Sequence, residues 1–310
     1  MRLLIKTMLL VILAATVLLT GCSDTETHTL RLGMMPAVDI APFYHASESG
    51  IFDEHGLEVE LVLFTNAQNR QTALQTNQID GAMTDLVALA TNVAGDFPLH
   101  GVLSTEGIFP LLVRDPADLA ADSSAGDNRR PTIGVMEISI TNYAAQMYLR
   151  QHHGDMQFEP VFINEIPTRL AAVSQGQVTG GIFPEPVASI GEANGLHKLV
   201  YPDIPRESLD IIAVTDSALQ TKPEAIRALT AAYSQAAAEL NTDPSLTLDI
   251  LYRYIPNLPP QARELINLPA YRPAHLPSDG FLAEIIEWTE GVRGQSLGIQ
   301  PADLVDRSYL

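Results

Sequence analysis

The chain has 310 residues, 46% of them apolar, and its 18 basic and 37 acidic residues give a formal net charge of −19. That length accommodates two domains or one large α/β unit with ample core-forming material, and a surface this acidic repels phosphate backbones, which excludes a nucleic-acid partner. The single cysteine, Cys22, excludes an intramolecular disulfide and a cysteine-based zinc site.

Residues 1–6 are short and positive, and residues 8–19 form an uninterrupted run of apolar residues and Thr. The run is shorter than the roughly 20 residues that span a bilayer, so the pair reads as the n- and h-regions of an export signal. Leu19-Thr20-Gly21-Cys22 resembles the lipobox of bacterial lipoproteins, in which the thiol is acylated and the chain is cut just before the Cys. The resemblance implies a signal peptide over 1–21, lipidation of Cys22, and a polar tether over 22–28. It implies an extracytoplasmic protein held to the cell membrane by acyl chains, without a spanning helix.

Beyond the tether, 29–34 predicts a strand and 36–42 a loop. A helix starts at Ala41 or Pro42, with Pro in the first turn, and Gly50 stops it. Residues 51–55 make a short turn, and the alternation of charged and apolar residues over 58–64 predicts a strand. Asn66 caps a helix to about Thr76. A strand over 79–83 leads to a helix over 86–94 capped by Thr84 or Asp85, and 99–104 and 109–114 are further strands. This alternation predicts a mostly parallel sheet with helices on its faces.

Residues 115–131 are polar and turn-rich, an exposed loop. The pattern then restarts, with strands over 132–135, 158–164, 180–183 and 198–201 alternating with helices over 141–152, 168–175 and 187–194. After one more strand at 211–215 the chain is helical. Thr221-Lys222-Pro223-Glu224 has capping-box spacing, followed by helices over 223–242, 246–254, 260–266 and 279–289. No tandem repeat or low-complexity segment stands out.

The stretch 32–61 contains APFYHA, GIF and GLEVEL at spacings that closely resemble the opening of bacterial solute-binding proteins of the nitrate, sulfonate, taurine and thiamine-precursor group. Asn77–Ala82, Thr132–Val135 with 139–143, and 175–179 with Glu185-Pro186 resemble later landmarks of that group, with Thr179 where Asp is usual. The resemblance covers about residues 30–242. It implies the type II periplasmic binding protein fold: two α/β lobes joined by two crossing strands that close on a ligand. On that plan, lobe one takes 29–114 plus 206–310 and lobe two takes 115–205, with crossings near 109–114 and 205–215. It further implies a monomer that captures a small molecule for an ABC permease and its ATPase, without a cofactor.

In an open α/β sheet, ligands sit beyond the carboxyl ends of the strands, where helices begin. Those junctions nominate Asp39 and Phe43, Thr84 and Asp85, and Ser104 from lobe one. Ser139, Thr141, Asn142, Tyr143 and Glu185 come from lobe two. Thr84, Asp85 and Ser139 fit equally as helix caps, Asp39 as a turn residue, and Phe43 and Tyr143 as packing residues. No basic residue stands at these junctions. An oxyanion ordinarily attracts Arg or Lys, so the pattern tilts the cargo towards an organic molecule with amino or ring N–H donors, such as a thiamine-pyrimidine precursor. Nitrate, sulfonate or taurine remains an alternative, because backbone N–H groups alone can hold an anion.

An enzyme reading finds little support. The thiamine-pyrimidine synthases of the same fold carry a Cys-rich motif, whereas the one Cys here serves the anchor. No G-x-S-x-G, H-E-x-x-H or P-loop motif is present. His152-His153 falls at a predicted helix end, where it complements the dipole rather than holding a metal. A ligand-sensing lipoprotein serving a signalling partner fits the sequence as well as a transport receptor does.

Overall fold

The computed structural model describes residues 28–119, 130–154, 156–201 and 207–310. The signal peptide, Cys22 and most of the tether lie outside the described residues.

The chain first builds a parallel layer. β1 (His28–Met34) is followed by α1 (Ala41–Glu48), α2 (Ile51–Glu54) and β2 (Leu57–Leu63). A 3₁₀ turn, Val38–Ile40, precedes α1, where a loop was expected. Gly50 adopts a φ of 80°, a conformation that suits glycine, and so separates the two short helices. Then come α3 (Ala67–Gln75), β3 (Gly81–Asp85), α4 (Leu86–Ala94) and β4 (Leu99–Thr105). The Asn66 side chain accepts from the N–H groups of Gln68 and Asn69, and that of Asp85 accepts from Ala88, so both expected N-caps form, Asp85 rather than Thr84 serving α4.

β5 (Leu111–Val113) begins a second sheet. It continues through β6 (Thr132–Val135), α5 (Ile140–His152), β7 (Glu159–Phe162), α6 (Ile166–Ser174), β8 (Gly180–Ile182), α7 (Val187–Ala193) and β9 (His197–Leu199). The chain then returns to the first sheet as β10 (Asp210–Thr215). It finishes through α8 (Asp216–Thr221), α9 (Pro223–Thr242), α10 (Pro244–Tyr254), α11 (Asp279–Arg293) and α12 (Pro301–Leu304).

The sheet orders are β2-β1-β3-β10-β4 and β7-β6-β8-β5-β9. In both, the fourth strand is antiparallel to its neighbours. Those two strands, β10 and β5, are the ones that arrive from the other sheet. β10 is buried along its whole length between β3 and β4, and its Ile-Ile-Ala-Val run suits a strand covered on both faces.

One face of the first sheet packs on α1, α9 and α10 through Leu30, Leu32, Phe43 and Tyr233. The opposite face packs on α4 and α11, and that core runs on into the second sheet through Leu111, Ile133 and Tyr143. A smaller core around Val173, Phe183 and Ala188 lies beneath α6 and α7.

The segment after α10 ties the two halves together. A 3₁₀ stretch, Pro260–Leu265, replaces the expected helix there. The Leu265 carbonyl accepts from Lys198 and from the Ser189 hydroxyl in the second half. The Tyr271 hydroxyl donates to the Val38 carbonyl at 2.7 Å in the first. The capping box expected at Thr221–Glu224 does not form. Thr221 ends α8, its hydroxyl donating back to the Ser217 carbonyl, Lys222 makes no side-chain cap, and Glu224 pairs with Arg227.

Candidate functional site

The carboxyl ends of the mutually parallel strands of both sheets face one another. A cavity of about 150 Å³ lies between them, lined by Met35 to Ala37 after β1, Thr84 and Asp85 ending β3, Met136 after β6, and Pro184 after β8. Ser139 and Thr141 at the start of α5, Phe109, and Asp210 at the start of β10 complete much of the wall. A larger hollow of about 490 Å³ lies on the other side of Phe109, lined by Glu106, Tyr201 and Arg272 among others. It abuts Tyr201 and Glu207, the residues that flank the undescribed stretch 202–206. The smaller cavity is the candidate site, because strand ends and helix starts of both sheets converge on it.

The two halves already touch around this cavity. The Asn66 amide donates to the Glu165 carboxylate at 3.3 Å, joining the N-caps of α3 and α6. The Val38 N–H donates to the Glu185 carbonyl at 3.0 Å. The Ile140 N–H interacts with the Asp85 carboxylate.

Two arginines line the cavity, Arg70 on α3 and Arg169 on α6; both lie within their helices and not at the strand–helix junctions, where no basic residue was expected, so cationic groups reach the cavity by another route. They occupy equivalent places in a structural repeat. In each half, the helix before the central strand ends in a residue with positive φ, Asn77 at 54° and Gly176 at 70°. A Gln follows, and the strand begins with Gly81 or Gly180. The pairing is identical in register: Leu32 with Gly81 and Gly33 with Ala82 in one half, Ile133 with Gly180 and Gly134 with Gly181 in the other. A Cβ on Gly33 would come 3.3 Å from the Arg70 Cγ, and one on Gly134 would come 3.0 Å from the Arg169 Cγ. Each arginine therefore lies against a bare stretch of strand backbone.

Their electrostatic surroundings differ. Arg70 is buried, its Nη2 donates to the Thr84 hydroxyl at 3.2 Å, and burial lowers its pKa while Asp85 and Asp210 pull it back up. Arg169 is 1% exposed. Its Nη1 donates to the Ile163 carbonyl at 2.7 Å, its guanidinium carbon lies 5.1 Å from the centre of the Phe183 ring, and its Nε has no partner. Burial pushes its pKa down to about 10, with no carboxylate offsetting the shift.

The acids gather on the other wall. Asp85 and Asp210 face each other across β3 and β10. Burial raises the pKa of Asp85, against the N–H groups that its carboxylate accepts from and against Arg70. Burial, together with Asp39 and Asp85, pushes Asp210 well above the usual carboxylate range. Asp39 lies deeper. It accepts from the Thr105 hydroxyl at 2.6 Å, and burial raises it to about 6.

A family model described as the NMT1-like family matches residues 23–247. The chain belongs to this NMT1-like family. It is 25% identical over 237 residues to a riboflavin-binding protein, RibY, of Chloroflexus aurantiacus, a match covering 74% of this chain and 66% of that relative. The fold is similar to the ligand-binding component of an ABC-type import system from Staphylococcus aureus, solved with zinc bound. That likeness has a TM-score of 0.77 and 16% identity, and covers 91% of this chain and 97% of the other. The alkanesulfonate-binding protein SsuA from Xanthomonas axonopodis, bound to MOPS, is similar with a TM-score of 0.68 and 17% identity over 91% and 99% of the two chains.

In this NMT1-like chain, four of the residues nominated from sequence line the cavity: Thr84, Asp85, Ser139 and Thr141. The other six point elsewhere. Phe43 is fully buried against Tyr233, their ring centres 5.2 Å apart. Tyr143 packs edge-on to Trp288, and its hydroxyl donates to Glu284 at 2.7 Å on α11. Ser104 and Asp39 are buried beneath the wall. Asn142 donates to the Glu137 carbonyl. Glu185 is 0% exposed and is bound by Lys198 at 2.9 Å, by the Ser189 hydroxyl at 2.7 Å and by the Asn267 N–H. Both rings of His152-His153 engage Tyr201, the first by stacking and the second through Nε2. Among the described residues, no group of three or more His, Cys, Asp or Glu is placed to hold a metal.

The residues missed in the sequence are Arg70, Arg169 and Asp210. Arginines in mid-helix are not at strand–helix junctions, yet a long side chain crossing a glycine reaches the strand end. The available signal was the recurrence of Arg, then Gln eight residues on, then Gly eleven residues on, in both halves.

Proposed function

We propose that this protein is an extracytoplasmic receptor that captures one small organic solute between its halves and hands it to an ABC permease and its ATPase, with no turnover. The observation that carries the reading is the cavity at the facing strand ends, walled by polar and charged side chains from both halves. A site divided between two lobes assembles only when they close, so capture and closure are one event. The importer-component fold of its structural neighbours supports the same role. The lipobox supports export and anchoring through Cys22, and the family match from residue 23 onward agrees with a functional chain that begins after the leader.

The cargo that the geometry favours has hydrogen-bond donors for the Asp85 and Asp210 wall, as a thiamine-pyrimidine precursor or another amine-bearing ring has. Arg169 favours a second reading, an anionic cargo such as a sulfonate or nitrate, because it is a buried cation without a carboxylate.

The test is a thermal-shift panel on the monomeric chain from Ser23 onward, with thiamine precursors, riboflavin, sulfonates, nitrate and amino acids. A bound solute raises the melting temperature by mass action. At least one compound is expected to do so and to be recovered unchanged. A compound that is consumed, with none shifting the transition, would overturn the reading.

A further inference from the structure

The two walls of the cavity present different unmet groups, a cation in the second half and carboxyls in the first. On the wall from the second half, Arg169 is buried and, although its Nε is unpartnered as that of Arg70 is, it alone of the two has no carboxylate counterpart among the described residues. An isolated buried cation costs several kcal/mol to desolvate, so such a group is ordinarily completed by an anion. On the wall from the first half, Asp85 and Asp210 lie side by side on adjacent strands, with Arg70 as their only cationic neighbour. The Asp210 carboxylate makes no hydrogen bond to any described residue, although its residue is 8% exposed and lines the cavity. Two acids share one arginine there, and burial with Asp39 and Asp85 nearby favours the protonated form of Asp210, so a cationic group that pairs with Asp210 would displace that proton.

We propose that the cavity selects a dipolar solute, whose anionic group is held by Arg169 and whose ammonium or N–H-bearing group is held by Asp210 beside Asp85. The inference rests on the solute-capture reading and deepens it. A solute carrying only negative charge would lie against Asp85 and Asp210. A solute carrying only positive charge would lie against Arg169. Only a molecule with both ends supplies a partner to Arg169 and to the Asp210 carboxyl at once, and a cavity of about 150 Å³ holds the two walls close enough for one small molecule to reach both. The repeat explains why the walls differ. At the strand end where the first half has Thr84 and Asp85, the second has Phe183 and Pro184, so the same arginine is compensated by protein in one half and left for the ligand in the other.

The experiment is isothermal titration of the chain from Ser23 onward with β-alanine and γ-aminobutyrate as zwitterions, butyrate as the anion alone and butylammonium as the cation alone. At least one zwitterion is expected to bind tenfold or more tighter than either single-charge probe. Arg169→Gln should weaken that zwitterion at least tenfold, Arg169→Lys should restore part of the loss, and Asp210→Asn should shift preference towards butyrate. Circular dichroism and the melting temperature of each variant identify any that misfold, and the four-probe comparison on the unaltered chain stands without them. Butyrate binding as tightly as the zwitterions, or unchanged zwitterion affinity in a folded Arg169→Gln, would overturn the proposal. If no zwitterion binds while another compound of the thermal-shift panel does, the dipolar proposal fails and solute capture stands. If nothing in either panel binds, both fail.

Discussion

The halves of this protein are two versions of one arrangement. Each sheet has a glycine on its second strand, an arginine laid over that glycine from the helix before the central strand, and a central strand that ends at the cavity. In the first half the arginine bonds a hydroxyl and lies in the field of two carboxyl groups. In the second it meets a carbonyl and the face of a phenylalanine. The second half has an ammonium with carboxylates, but Lys198 is committed to Glu185 and Glu192 away from the cavity. Equivalent backbone therefore does not give equivalent chemistry. The residues at the strand end decide whether a buried charge is closed within the protein or left open to a ligand.

Removing one charge from each buried cluster should break the comparison most visibly. Lys198→Met strands Glu185, which is wholly buried, and should cost about 3–5 kcal/mol in urea denaturation. Arg70→Met should cost about 3 kcal/mol, because Asp85 and Asp210 lose their counter-charge. Arg169→Met, at the equivalent place, should cost less than about 1.5 kcal/mol, since the loss of the bond to Ile163 is offset by relief of an unpaired buried charge. Equal losses at the two arginines would remove the distinction between the halves.

Alanine at the paired glycines sharpens it. Gly134→Ala meets only Arg169 at or under 3.3 Å, whereas Gly33→Ala also meets Ile79 at 2.7 Å and Phe64 at 3.1 Å. Both should cost about 1–3 kcal/mol. Adding Arg169→Ala should recover most of the Gly134→Ala penalty, and adding Arg70→Ala little of the other, as a double-mutant cycle would show.

The acids of the first half predict a pH dependence. Burial raises Asp39 to about 6, so between its unfolded pKa and that value the folded state holds the extra proton. Stability contributed by this group therefore falls as pH rises from about 4 to about 6, and is level above that range. Asp39→Asn should remove that part of the slope in melting temperature against pH while keeping an acceptor for Thr105. The smallest effect expected is from Glu165→Ala. It removes an exposed contact with Asn66 across the cleft and should change stability by less than about 0.5 kcal/mol.

Much of the fold was legible because its signals are local. Alternation marked β2, a capping residue marked α3 and, with an apolar run behind it, α4, and Pro at the first turn marked α9. The capping box at Thr221 misled because a local motif is valid only if its first residue is free, and α8 had already taken it. At the site, four of the residues nominated from strand–helix junctions, Thr84, Asp85, Ser139 and Thr141, line one cavity. The same rule nominated Phe43, Tyr143 and Glu185, whose side chains leave their junctions for a core or an ion pair that no local pattern reveals.

By itself the sequence determined the alternating α/β elements, their restart after residue 131, the acidic composition and the single cysteine, since composition, periodicity and short motifs are properties of neighbouring residues. The tertiary structure decided which charges meet. Arg70 and Arg169 become cavity residues only because their helices lay them across strand glycines. Asp210 joins them only because its strand returns from the far sheet to pair with β3. Whether a buried charge is satisfied depends on groups distant in the chain, and folding alone places those groups within reach of one another.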